Sequence, residues 1–290
     1  LYLNKKNLAD IKNQIHIFIS GLPRSGTTSI LNYIFSSNEY ASLTYKDMPF
    51  LFSPNLTSKI SSNNILSDRL RAHNDRIKFN LNSPEAFDEV FIKYYDDDLS
   101  QEFLNYISLI LKFYNKKKYI SKNNSNFKRI NFLKKNFPNS KFLTPFRDPL
   151  QQSFSLLNQH KNFLKLHNED NFTLKYMNFL GHYEFGKNHI PWFKSKLFFN
   201  TFDLNYWLEQ WIEFYENILI SYSKDKKNFK ILCFERLDDP KYLTELNNFI
   251  KLNKDNFGYF KIIRKEVNVD YDKKLYLKAI ELYEKLNNLS

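Results

Sequence analysis

The sequence predicts an α/β fold in three layers, a central parallel β-sheet flanked by helices, and three observations predict it. Short apolar runs rich in β-branched and aromatic residues recur at Ile15 to Ser20, Tyr119 to Ser121, Lys141 to Pro145 and Lys230 to Phe234. Helix-like periodicity separates them, and strands that alternate with helices assemble as parallel neighbours. The first run also passes directly into a glycine-containing loop, Gly21 to Thr28, and then into a helix-like stretch, Ser29 to Phe35. A chain of 290 residues buries most of the surface its unfolded form exposes, and no Gly/Ser-rich or Pro-rich linker interrupts it, so we expect one domain over 1–290.

The remaining elements follow in chain order. From Ser42 to Ser100 periodicity is poor and Asn, Ser, His and aromatic residues mix, as they do again from Asn162 to Asn205. Long irregular stretches in a compact domain serve as functional loops, so 42–100 and 162–205 are expected on the substrate side. Phe127, Ile130, Phe132, Leu133 and Phe137 fall at helical spacing, and Pro138 stops that helix just before the run at Lys141. Trp207, Trp211, Phe214, Tyr215 and Ile218 recur every three or four positions, which predicts one long amphipathic helix over 204–222 with a core-facing aromatic stripe. Leu275, Ala279, Leu282, Tyr283 and Leu286 predict a closing helix.

Composition narrows the partners. Lys and Arg number 43 against 31 Asp and Glu, a net charge of +12, which favours a nucleotide, an acidic glycan, nucleic acid or an anionic membrane surface. No nucleic-acid-binding motif is present, so nucleic acid is not expected. Cys233 is the only cysteine, no apolar run reaches the ~18 residues of a membrane span, and Leu1 to Asp10 has no signal-peptide core. The expected location is cytoplasmic, with peripheral membrane contact compatible with the charge. His160 with His167 and His182 with His189 are each seven residues apart, ~10 Å along a helix, unlike the i, i+4 spacing that chelates metal, and no metal site is expected.

The loop GLPRSGTT is the most informative segment. A helix N-terminus offers unpaired N–H groups and a positive dipole end, and glycines at Gly21 and Gly26 let the backbone approach an anion closely. Pro23 shapes the loop, Arg24 adds a multidentate charged donor, and Ser25, Thr27 and Thr28 add hydroxyls. The two glycines have the spacing of a nucleotide-binding P-loop, which makes the fold P-loop-type. Thr27, however, occupies the place of the lysine that would reach the β and γ phosphates, and this counts against a kinase or NTPase.

This loop resembles the 5′-phosphosulfate loop of sulfotransferases that use 3′-phosphoadenosine 5′-phosphosulfate (PAPS), in particular those acting on carbohydrates and tyrosylproteins. RDPLQQSFS, which follows the strand KFLTPF, is similar to the family's second motif, with Arg147 and Ser155 at the separation of its 3′-phosphate site. YISKNN at 119–124, LEQW at 208–211 and CFERLDDP at 233–240 extend the likeness, although the usual Pro after the strand-end lysine is missing. The resemblance implies sulfuryl transfer from PAPS to an acceptor hydroxyl, expected on a carbohydrate or polysaccharide, with release of PAP and no metal. It implies leaving-group stabilisation by Arg24 and Lys122, and basic donors to the 3′-phosphate from Arg264 and Lys265, although the family's following Gly is here Glu266.

The implied general base is Asp47, 23 residues beyond Arg24 and followed closely by Pro49. His73, flanked by Arg69, Arg71 and Arg76, is the alternative because imidazole titrates near neutrality; Asp75, Glu85 and Glu89 also stay open. Glu184 and Trp192 are candidates for the acceptor cleft. Two other readings remain at this stage: a small-molecule kinase or NTPase dependent on Mg-ATP, and a non-enzymatic binder of polyanions.

Overall fold

In the computed structural model the described residues are 5–51, 69–70, 78–85, 87–94, 100–197, 199–253, 257–264 and 266–290. Their elements run α1 (Lys5–Lys12), β1 (Ile17–Ile19), α2 (Thr27–Phe35), β2 (Tyr40–Ala41), a 3-10 turn (Tyr45–Phe50), β3 (Arg69–Leu70), β4 (Lys78–Phe79), α3 (Asp88–Tyr94), α4 (Ser100–Phe113) and β5 (Lys118–Lys122). A second 3-10 turn (Asn124–Arg129) then leads into α5 (Ile130–Asn136), β6 (Lys141–Phe146), α6 (Pro149–Glu169), α7 (Asn171–Leu180) and α8 (Leu204–Lys224). The chain ends with β7 (Phe229–Cys233), a 3-10 turn (Phe234–Arg236), α9 (Pro240–Ile250) and α10 (Lys273–Asn287).

Five strands form a central sheet in the order β2-β5-β1-β6-β7, in which β1 runs parallel to both β5 and β6 and β2 runs parallel to β5. This is the predicted α/β fold. The run predicted at Ile15 to Ser20 contains β1, the run at Lys141 is β6, and the long aromatic helix is α8. Inner strands of a parallel sheet are covered on both faces, which is why β1 reads as an unbroken apolar run and Ile17, Phe18 and Ile19 are all fully buried.

The chain forms two compact units: residues 1–20, 28–143 and 244–256, and residues 21–27, 144–243 and 257–290. In the first, Phe18 packs against Phe137, Phe142 and Tyr119, and the Tyr33 hydroxyl exchanges hydrogen bonds with the Asn247 side chain. In the second, α6, α8 and α10 pack on one another, and Trp207, Trp211 and Tyr215 of α8 are fully buried. Tyr215 donates to the Pro145 carbonyl (2.8 Å), giving its buried hydroxyl a partner.

The stretch expected to be irregular from Asn162 differs in part. It is helical to Leu180, through the end of α6 and all of α7. The core-facing side of α6 is built largely from polar residues, including Gln152, Ser153, Ser155, Gln159, His160 and His167, all buried. Apolar periodicity is therefore missing from a helix that is nonetheless packed. No helix among the described residues is long and apolar enough to cross a membrane.

Candidate active site

The glycine loop leaves the carboxyl end of β1 and enters the first turn of α2 at Thr27. A Cβ on Gly21 would lie 3.0 Å from Ser25 Oγ and 3.1 Å from the Pro145 carbonyl oxygen, so a side chain there would require its neighbours to give by a few tenths of an ångström. Gly26 has φ +94°, and a Cβ on it would lie 2.1 Å from the Phe234 ring. Arg24 also adopts positive φ, +71°. For a residue with a Cβ this conformation costs about 1–2 kcal/mol, and the surrounding bonds maintain it. Ser25 is buried and donates to the Leu22 carbonyl (2.7 Å), and Gln152 Nε2 donates to the Pro23 carbonyl (3.1 Å). The other end of the Gln152 amide accepts from the Trp211 indole (3.0 Å), so α8 fixes the glutamine that fixes the loop.

Arg24 Nε donates to Ser155 Oγ at 2.9 Å, which joins the loop directly to the face of α6. Ser155 is only 7% exposed. Its oxygen is used as the acceptor for the guanidinium, so its own O–H remains a donor, polarised by the positive charge behind it.

Arg147 stands one residue beyond β6, and Asp148 caps α6 by accepting from the Gln151 N–H (2.9 Å), with Pro149 as the first helical residue. Arg147 Nε lies 3.6 Å from Glu235 Oε1, and Glu235 Oε1 also accepts the Asp148 N–H (3.1 Å). Burial pushes the Glu235 carboxyl above its ordinary range, against the lowering effects of backbone hydrogen bonds, including the one from Asp148, and of Arg147. The guanidinium carbon lies 5.9 Å from the centre of the Phe234 ring, and Nη2 donates to the Ile263 carbonyl. Arg264, the next residue, is exposed. Lys265 lies outside the described residues.

Among the residues predicted for catalysis, Lys122 ends β5 in register with Ile19, the last residue of β1. It is buried, and its ammonium is 3.3 Å from Glu85 Oε1, while Tyr45 donates to Glu85 Oε2 (2.9 Å). Asp47 is fully buried in the 3-10 turn that follows Thr44. Its Oδ2 accepts the Thr44 N–H (2.8 Å), the Thr44 hydroxyl (3.0 Å) and the Tyr114 hydroxyl, whereas Oδ1 makes no hydrogen bond. Burial and the adjacent Asp47 charge push the Tyr114 phenol well up, so it stays a donor. Glu89 is committed to Arg129 and Asn123. His73 and Asp75 lie outside the described residues.

The histidines group differently from the pairs that spacing offered. His160 lies 5.1 Å from His189 ring to ring, His160 Nδ1 accepts the Gly186 N–H (3.3 Å), and His167 Nδ1 accepts the Lys187 N–H (3.2 Å). Gly186 has φ +83°, and a Cβ on it would lie 2.3 Å from the His167 ring. These histidines hold the segment after α7. Burial lowers His160 to about 4 and pushes His167 and His189 down as well, so all three are neutral packing groups. Trp192 packs against Phe185 and Trp207 in the same cluster.

Sequence reasoning did not assign roles to Gln152, Phe234 or Glu235. Gln152 carried one available signal, since it lies one helical turn before Ser155 on the same face. Glu235 and Phe234 lie in CFERLDDP, which spacing alone does not connect to Gly26 or Arg147.

A glycine loop running from a strand of a parallel sheet into a helix, tied by its arginine to a second helix, defines an α/β protein with a loop-to-helix turn of the kind at which anions bind. Residues 16–190 match the sulfotransferase family, more than half of the chain, and the chain belongs to that family. The sulfotransferase STF1 of Mycobacterium tuberculosis H37Rv is similar in structure, with TM-score 0.50 and 12% identity over 86% of this chain and 70% of that one. A sulfotransferase from Alicyclobacillus acidocaldarius gives TM-score 0.48 and 11% identity over 96% of this chain and 97% of its own. At such identity the likeness to STF1 speaks for the fold alone. No curated protein shows significant similarity to the chain.

Proposed function

We propose that this sulfotransferase takes its sulfuryl group from PAPS and passes it to an acceptor hydroxyl, expected on a carbohydrate or polysaccharide, releasing PAP. The observation that carries the reading is the Arg24 to Ser155 hydrogen bond, which couples the two sequence motifs in one unit. In this reading the N–H groups of Gly21 to Thr28, with the Ser25, Thr27 and Thr28 hydroxyls and Arg24, hold the 5′-phosphosulfate. Arg147 and Ser155 hold the 3′-phosphate, with Arg264 and Lys265 as further basic donors. Glu235 and Phe234 set the orientation of Arg147.

The acceptor oxygen forms its bond to sulfur as the bond from sulfur to the bridging phosphate oxygen breaks, and the acceptor proton goes to a base. Asp47 is the proposed base through Oδ1, the oxygen left without a hydrogen bond; His73 is the alternative. Lys122 and Arg24 neutralise the charge that collects on the departing phosphate. Thr27 in the P-loop lysine position supports a reaction that needs no Mg-ATP.

Calorimetric titration with PAP, and separately with Mg-ATP, tests the donor. The expected result is metal-independent PAP binding that Arg147→Ala weakens by at least about tenfold, the loss of one charge-assisted phosphate contact. Binding of Mg-ATP without PAP would refute the proposal.

A further inference from the structure

Helix α7 carries apolar residues on a buried side and on an exposed one. Met177 and Leu180 are buried, while Phe172 is 73% and Phe179 43% exposed. At 100° per residue Phe172, Tyr176 and Phe179 fall within an arc of about 60°, and Lys175 flanks them. Phe172 and Tyr176 stack with ring centres 6.0 Å apart. The helix is well closed at both ends: Asp170 caps it by accepting the Phe172 and Thr173 N–H groups, and Gly181 at φ 74° ends it with the His182 N–H returning to the Met177 carbonyl. The aromatic stripe is therefore presented by ordered backbone.

The segment that follows is tied to α7 and carries exposed apolar side chains of its own. Asn188 donates to the Asn178 side chain beside Phe179 (3.0 Å), and Tyr183 donates to the Asn178 carbonyl. Beyond this junction Ile190, Leu197 and Phe202 are each more than half exposed. Between positions 161 and 202 the chain carries Lys161, Lys165, Lys175, Lys187, Lys194 and Lys196 against Glu169, Asp170 and Glu184. All six lysines are exposed; Lys165 pairs with Glu169 and Lys196 with Glu213, and Lys175 stands on α7 itself.

We infer that α7 and the segment after it form a docking surface for an anionic lipid bilayer. The pairing of residue types selects this occupant. Interfaces between proteins are depleted in lysine, whereas a helix lying in a bilayer interface sets exposed Phe, Leu and Ile beside lysines that meet anionic headgroups. The rings enter the acyl boundary and the ammonium groups stay at headgroup level, where each lysine adds attraction within the screening length. The apolar contacts give the anchoring, and the charges select the lipid.

The test is co-sedimentation of the full chain with phosphatidylserine-containing and with pure phosphatidylcholine vesicles, at low and high salt, for the wild type and for Phe172→Ser/Phe179→Ser. Phe172 is largely exposed, so Phe172→Ser alone should leave thermal unfolding unchanged, and its binding is measured beside the double variant because Phe179 is half-buried. The expected result is binding to the anionic vesicles that weakens with salt and falls at least about tenfold in the double variant. Absence of binding to anionic vesicles overturns the inference. Binding that the double variant leaves unchanged also overturns it, because the positive charge alone would then account for the attraction. A sedimentation-velocity shift showing that the wild type self-associates and the double variant does not would reassign the face to a second copy of this chain.

Discussion

Gly26→Ala perturbs the glycine loop at the point where it touches the turn after β7. The added Cβ would lie 2.1 Å from Phe234 Cδ2 and 2.3 Å from Cε2, where ordinary contact begins at 3.4 Å. The ring has to retreat by more than about 1 Å, and overpacking of this kind costs about 1–3 kcal/mol. Positive φ at this position adds about 1–2 kcal/mol once a Cβ is present. The two parts separate in a double-mutant cycle: in a Phe234→Ala background the steric part disappears and only the backbone part remains. Urea unfolding should therefore show a loss of about 2–5 kcal/mol for Gly26→Ala in the wild type and about 1–2 kcal/mol in Phe234→Ala. PAP titration of the same four proteins reads the consequence for the site, because the displaced ring also packs near the Arg147 guanidinium. An equal stability loss in both backgrounds would show that Phe234 does not set the requirement for glycine, and would refute the reasoning.

Three further outcomes follow from the same geometry. Lys122→Met removes the ammonium that pairs with the buried Glu85 carboxylate, so both stability and turnover should fall, by up to about 3–5 kcal/mol for stability; adding Glu85→Gln should restore stability in urea unfolding but not turnover, and recovered turnover would remove Lys122 from the mechanism. Asp47→Asn keeps an acceptor for the Thr44 N–H but cannot take a proton, so PAP affinity should hold while turnover drops by about 10²-fold or more in a sulfate-transfer assay; full turnover would make His73 the leading base. His16 is lowered to about 4 by burial, its Nδ1 accepting from the Tyr119 N–H. Because its folded value lies below the unfolded 6.5, the unfolded chain takes the proton first, so the stability it contributes is complete above pH 6.5 and is lost as pH falls towards 4. The stability advantage of the wild type over His16→Gln should thus narrow by about 2 kcal/mol between pH 7 and pH 5, and a constant difference would contradict the assignment.

What could be read from the sequence divides along physical lines. The inner strands and α8 announced themselves because burial on both faces, or on one stripe, is written in apolar residues at fixed spacing. The late part of α6 did not, because its packed face carries His160 and His167, which contribute to a core only through partners supplied elsewhere. His160 needs the Gly186 N–H, His167 needs the Lys187 N–H, and Gln152 needs both the Trp211 indole and the Pro23 carbonyl. A polar residue that is buried because distant groups satisfy it leaves no periodic signal.

The same distinction applies within the candidate site. The loop GLPRSGTT was legible because glycine spacing and the following helix are local, and RDPLQQSFS was legible as a motif of a resembling family. Neither motif alone implies that Arg24 reaches Ser155, since that bond spans 131 residues. Its consequence is that loop and α6 form one linked element. A ligand that engages Ser155 alters the hydrogen bond on which the Arg24 side chain rests, and one that draws Arg24 away changes the acceptor demand on Ser155 Oγ. In the proposed PAPS site, binding energy gained at one phosphate would in this way be coupled to the geometry offered to the other. This coupling is a property of the fold that residue spacing does not encode.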